Sequence, residues 1–143
     1  MIRYFTEDIR FQYKGKRLTS NWLKKVAEQE EKRIGGVSII FCSDPYLLGI
    51  NREYLGHDYY TDIITFDYCE GKLLGGDLFI SIDTVRDNAA FYGTSFDNEL
   101  HRVIVHGLLH LIGYDDHSDA DTAAMRAAED RALALLAAMR QNP

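Results

Sequence analysis

With 143 residues and 46% hydrophobic content, the chain suffices for one domain with a buried core, and no apolar run approaches the roughly 18 residues of a membrane span. The opening MIRYFTED has no apolar segment behind its charges, so no secretory signal is expected. Cys42 and Cys69 sit apart in strand-like runs, as suits core residues of a reduced cytoplasmic protein rather than a disulfide scaffold. The net charge of −6 is uneven: residues 1–33 hold nine Lys/Arg against five Asp/Glu, and the remainder seven against seventeen. A basic cluster of Arg10, Lys14, Lys16 and Arg17 therefore keeps a polyanionic partner open despite the acidic total.

In chain order, residues 2–5 and 9–13 read as short strands, and Ser20 as the cap of a helix reaching about Arg33, with Trp22, Leu23, Val26 and Ala27 on its buried side. Gly35-Gly36 reads as its end, and VSIIFC (37–42) as a β-branched strand. Asp44-Pro45 opens a helix to about Tyr54, with Asp as N-cap and Pro at the first helical position. DIITFDY (62–68) and DLFISI (77–82) form two further strands across a Gly-containing turn. Asp83 is expected to cap a helix to Tyr92, Ser95 or Asp97 one reaching Gly113, and Ser118 with Asp121 a long Ala/Leu helix to about Met139. The fold class expected is α+β: one domain over residues 1–143, a mixed sheet packed with helices.

The chemistry concentrates in HGLLHLIGYDDH (106–117). The helix carrying it is apolar nearly all round (Val103, Ile104, Val105, Leu108, Leu109, Leu111, Ile112), hence buried. His106 and His110 stand at i and i+4, project from one face and need polar partners. A metal ion satisfies both rings, and imidazole nitrogen suits zinc. Gly107 costs helix propensity, which implies that another backbone or a substrate comes close there. It also replaces the glutamate that serves as base in HExxH peptidases, which weighs against a zincin-like metallopeptidase. Gly113 ends the helix and returns Tyr114, Asp115, Asp116 and His117 towards the histidines. In HExxHxxGxxH zincins the third ligand lies ten residues after the first histidine. That position is Asp116 here and His117 follows it, and either side chain can bind zinc.

HGLLHLIGYDDH resembles the HGxLHLxGYDH signature of the YbeY family of bacterial zinc-dependent endoribonucleases, and YYTDIITF (59–66) and GGDLFIS (75–81) resemble its PTDVLSF-type and GDI segments. The resemblance implies an α+β domain with the metal in a cleft, a cytoplasmic protein, and a role in small-subunit ribosomal RNA processing (16S 3′-end maturation) and ribosome quality control. It implies His106 and His110 as zinc ligands with a third histidine, for which His117 is the expected match, one zinc per chain, and Asp116 nearby as base. Relatives carry an arginine for phosphate charge where this chain has Leu55, and Arg52 or His57 stands close enough in sequence to take its place. Arg52 is the candidate catalytic arginine. Single-stranded or ribosomal RNA, on the small ribosomal subunit, is the expected partner, held by the basic cluster and by stacking on Tyr59 or Tyr60. The competing reading is a ribosome-assembly factor that binds RNA around a structural zinc without cutting it.

Overall fold

Strand-forming and helix-forming stretches follow one another with short connections, and a computed structural model describing residues 1–142 shows how they assemble. In chain order the elements are β1 (Ile2–Thr6), α1 (Lys16–Gln29), β2 (Arg33–Cys42), α2 (Asp44–Leu55), β3 (Ile63–Asp67), β4 (Leu73–Ser81), α3 (Ile82–Tyr92), α4 (Phe96–Ile112) and α5 (Asp119–Gln141). The sheet runs β1-β2-β4-β3. β1 and β4 pair with β2 in parallel, and β3 closes the far edge antiparallel to β4, with Ile63 opposite Ile80. This is the expected α+β class with a mixed sheet. Among the described residues no helix is long and apolar enough to cross a membrane.

Alternation along the strands divides the core between two faces. Val37, Ile39 and Phe41 of β2 and Leu78 and Ile80 of β4 join α1, α4 and α5 in the main cluster. On the other face Cys42, Ile64, Phe66 and Phe79 meet Leu47 and Ile50 of α2. Both cysteines are free, Cys42 buried and Cys69 partly so. Helix α4 lies between the sheet and α5, with ten of its residues buried. At the junction of α1 and α5 the fully buried Trp22 donates its indole N–H to the carbonyl of Ala132, 2.7 Å away.

Several boundaries differ from expectation for local reasons. Helix α1 starts at Lys16, earlier than Ser20, because Gly15 takes a positive φ of 86° and turns the chain into the first helical turn. Residues 9–13 alternate like a strand but pair with none; Phe11 and Tyr13 instead pack their rings on Phe41, at 5.1 and 5.2 Å. Gly35-Gly36 lies inside β2, where the register with β4 shifts. The caps of α2 and α3 are Ser43 and Ser81, one and two residues before the expected aspartates. Ser95 and Ser118 cap α4 and α5 as read.

Candidate metal centre

Helix α4 reaches the sheet through Gly107: a Cβ there would stand 2.7 Å from Ile63 Cδ1 and 3.0 Å from Leu78 Cδ2. The close approach the glycine permits is thus to the side chains of β3 and β4, not to a substrate. It sets the neighbouring His106 against Asp62, just ahead of β3. Gly113, with φ 128°, ends the helix; its N–H and that of Tyr114 both donate to Leu109.

The His106 and His110 Nε2 atoms lie 3.0 Å apart. Asp116 Oδ2 stands 3.8 Å from the first and 3.6 Å from the second. Tetrahedral ligation by nitrogen and oxygen at ~2.0–2.1 Å implies ligand separations of about 3.3–3.4 Å, which the observed edges bracket. The outer nitrogens are spoken for. His110 Nδ1 donates to the Tyr114 carbonyl at 3.0 Å, and His106 Nδ1 meets the Glu129 carboxylate at 2.7 Å. With the Nδ1 atoms committed, each ring when neutral turns its Nε2 lone pair towards the other, a pair of nitrogen donors that one cation satisfies together. A carboxylate beside them completes a donor set suited to a metal ion, and these three residues are a group able to hold one.

Glu129 is buried and anchored by Arg102, whose guanidinium spans Glu129 and Asp130 at 2.8 Å each. Burial opposes its charge, but the hydrogen bonds from His106 and Arg102 win and hold the carboxyl below its usual range. Burial likewise opposes a charged His106, yet Glu129, Asp62 and Asp116 together raise its pKa. His110 is pushed down, by burial and by the charge of His106. Burial raises the Asp62 carboxyl, with His106 and backbone N–H groups pulling the other way. Two clefts meet here, and Asp62, His106 and Asp116 line both.

The sequence pair His106 and His110 is thus brought together, and the carboxylate that stands with them is that of Asp116, the tenth residue after His106. The turn at Gly113 delivers the tenth residue; His117 is exposed just ahead of the α5 cap and is outside the donor group. Arg52 is exposed and ion-paired with Asp58, and it lines neither cleft, whereas Leu55 and His57 line one of them. Arg10, Lys14, Lys16 and Arg17 are exposed and away from both clefts. Sequence reasoning missed Glu129, Arg102 and Asp62. Glu129 did leave a signal, a carboxylate on the stripe Met125, Ala128, Ala132 and Leu136 that α5 buries.

Comparison with known proteins identifies the family. Residues 2–137 match the family model described as Endoribonuclease YbeY. Proteins named Endoribonuclease YbeY from Phocaeicola vulgatus and Bacteroides thetaiotaomicron are 54% and 52% identical, over 95% and 94% of this chain and 99% and 98% of theirs. The solution structure of TM1509 from Thermotoga maritima superposes with a TM-score of 0.69 at 27% identity, covering 100% of this chain and 94% of that one. On the family match over nearly its whole length, the chain belongs to the Endoribonuclease YbeY family.

Proposed function

We propose that the protein is a zinc-dependent endoribonuclease that hydrolyses RNA phosphodiester bonds in the cytoplasm, in 16S ribosomal RNA 3′-end maturation and ribosome quality control. The observation that carries this is the convergence of the His106 and His110 Nε2 atoms with the Asp116 carboxylate where two open clefts meet. The names of the relatives supply the substrate class.

His106, His110 and Asp116 would hold one zinc ion, which supplies Lewis acidity and a nucleophile at neutral pH. Glu129 fixes the tautomer and tilt of His106, and Arg102 fixes Glu129. With Asp116 a ligand, the base passes to Asp62, a half-buried carboxylate shared by both clefts, whose raised pKa suits it to take a proton from the attacking water. The clefts carry the carboxylates Asp62, Glu99, Asp116 and Glu129 against Arg102 and Arg126, so an RNA phosphate approaches only once a cation offsets them. Leu55 offers no charge, which leaves that task to the metal.

The test is internal cleavage of a single-stranded ribosomal RNA fragment by the zinc-loaded protein, stopped by chelation and restored by zinc. Asp116→Ala should lose both metal and cleavage, while His117→Ala should keep both. Ribosomal RNA binding that survives loss of the histidines, with no cleavage by the intact protein, would establish the assembly-factor reading instead.

A further inference from the structure

The two clefts that share Asp62, His106 and Asp116 differ in what lies beyond the shared residues. One arm is a recess lined by β3, α4, the end of α2 and the segment that follows it, where His57 and Tyr59 already stack on each other, 5.2 Å apart and 19° from parallel. Its aromatic faces are partly used on themselves. The other arm, about 540 Å³, runs between α3, α4 and α5 and is lined by Asn88, Tyr92, Thr94, Asn98 and Arg126.

Tyr92 closes helix α3 and is 63% exposed, beside a Phe91 that is 83% exposed. The two rings meet edge to face at 5.1 Å, a contact that covers at most one face of Tyr92 and leaves the other to solvent in a residue this exposed. Neighbouring exposed rings form an apolar patch of the kind that marks a binding surface, whereas a lone exposed ring would need no explanation. Both are held by a helix whose end is fixed by the Gly93 cap, with φ 67°. Asn88 lies one turn before Tyr92 and lines the same arm, which places an amide with both donor and acceptor beside the ring. Asn98 sits across the arm, its amide nitrogen held by Thr94 at 2.9 Å. Arg126, 60% exposed, adds a cation on the α5 wall.

A rigid exposed ring, side-chain amides and a cation within one cleft match the three parts of a nucleotide: a base that stacks, an edge that hydrogen-bonds, and a phosphate. We infer that the α3–α4–α5 arm is a nucleobase subsite, in which Tyr92 stacks the base of a nucleotide flanking the scissile phosphate and Asn88 meets that base's edge. This rests on the endoribonuclease reading and adds to it which residues hold the base beside the cut. A base inside a duplex has no free face to give to Tyr92. Because the two arms share the metal-site residues, a strand lying through both would continue past the cut in both directions, as internal cleavage requires.

The experiment is a set of single-stranded oligoribonucleotides with one internal cut site and an abasic residue placed in turn at each position around it. They are cleaved by the zinc-loaded protein, by Tyr92→Ala and by Tyr92→Phe. At one position flanking the cut, the abasic residue should lower the wild-type kcat/KM by roughly 5- to 150-fold, the range of one base–aromatic stack. That penalty should disappear in Tyr92→Ala and persist in Tyr92→Phe, which keeps the ring. Zinc content should be the same in all three proteins, which separates this effect from damage to the metal centre. An abasic penalty in Tyr92→Ala equal to that in the wild type, or no penalty at any position, would overturn the subsite while leaving the endoribonuclease standing. No cleavage of any intact oligonucleotide by the wild type would overturn the endoribonuclease reading and the subsite with it.

Discussion

Helix α4 carries histidines on two faces, and His101 on one titrates in the opposite direction to His106 on the other. His101 faces the fully buried Trp22, edge to face at 5.9 Å, with Arg140 beyond its Nδ1. Burial and then the Arg140 charge push its pKa down to about 4. Five residues on, about 140° round the axis, His106 meets Glu129, Asp62 and Asp116, and its pKa is raised although burial acts on it in the same sense. Position on one helix and loss of solvent are common to both. The partners differ: an indole and a guanidinium on one side, carboxylates on the other. A histidine becomes metal-ready when a carboxylate or carbonyl takes the Nδ1 proton and another donor shares the space at Nε2, and only the His106 face supplies both.

The largest expected difference between the two faces is in metal binding. His106→Ala and His110→Ala should each weaken zinc affinity more than 100-fold, beyond the 10- to 100-fold typical of a supporting partner, while His101→Ala leaves it within a few-fold. Competition against a chelator of known affinity measures this, and equal losses in all three would abolish the distinction.

The next effect is on stability. The folded-state pKa of His101, about 4, lies below the ordinary 6.5, so between these values the unfolded chain binds more protons than the folded one. The contribution is therefore intact above pH 6.5 and lost as the pH falls to 4, amounting at most to about 3 kcal/mol. Replacing it as His101→Gln should flatten the acid side of a denaturant-midpoint profile against pH. His106, whose shift has the opposite sign, cannot produce that loss. An unchanged acid slope in the variant would remove His101 as its source.

The smallest of the three sharpens the role of the supporting carboxylate. Glu129→Gln keeps shape and removes charge, so zinc affinity should fall by about 10- to 100-fold with the fold retained. Affinity equal to that of the unaltered protein would make the Glu129–His106 contact mere packing.

What could be seen in the sequence was local. The i,i+4 pair, the helix-ending Gly113 and the serine caps at 95 and 118 each depend on residues a few positions apart, and all appear in the structure. The partner of the two histidines depended on the path of the chain after Gly113: spacing pointed to Asp116 and the family resemblance to His117, and it is the Asp116 carboxylate that stands within reach of both rings. Glu129 reaches His106 only because α5 packs back along α4, and Asp62 only because Gly107 lets β3 come close. Neither proximity has a local signature. The alternating Ile9, Phe11 and Tyr13 show the converse: period two says which side chains turn inward, and they do, but it does not say whether a strand waits alongside to pair.

The indole of Trp22 has an optical consequence. It is the only tryptophan in the chain, fully buried, and hydrogen-bonded to Ala132, a residue less than one turn beyond Glu129 on α5. Its emission therefore arises from a dry environment defined jointly by α1 and α5, without a second fluorophore of its kind to blur it. Any loosening of α5 that wets the indole will shift that emission to longer wavelength, and the same displacement carries Glu129 away from His106. The protein thus contains an intrinsic spectroscopic gauge of whether the carboxylate behind its first histidine is in place.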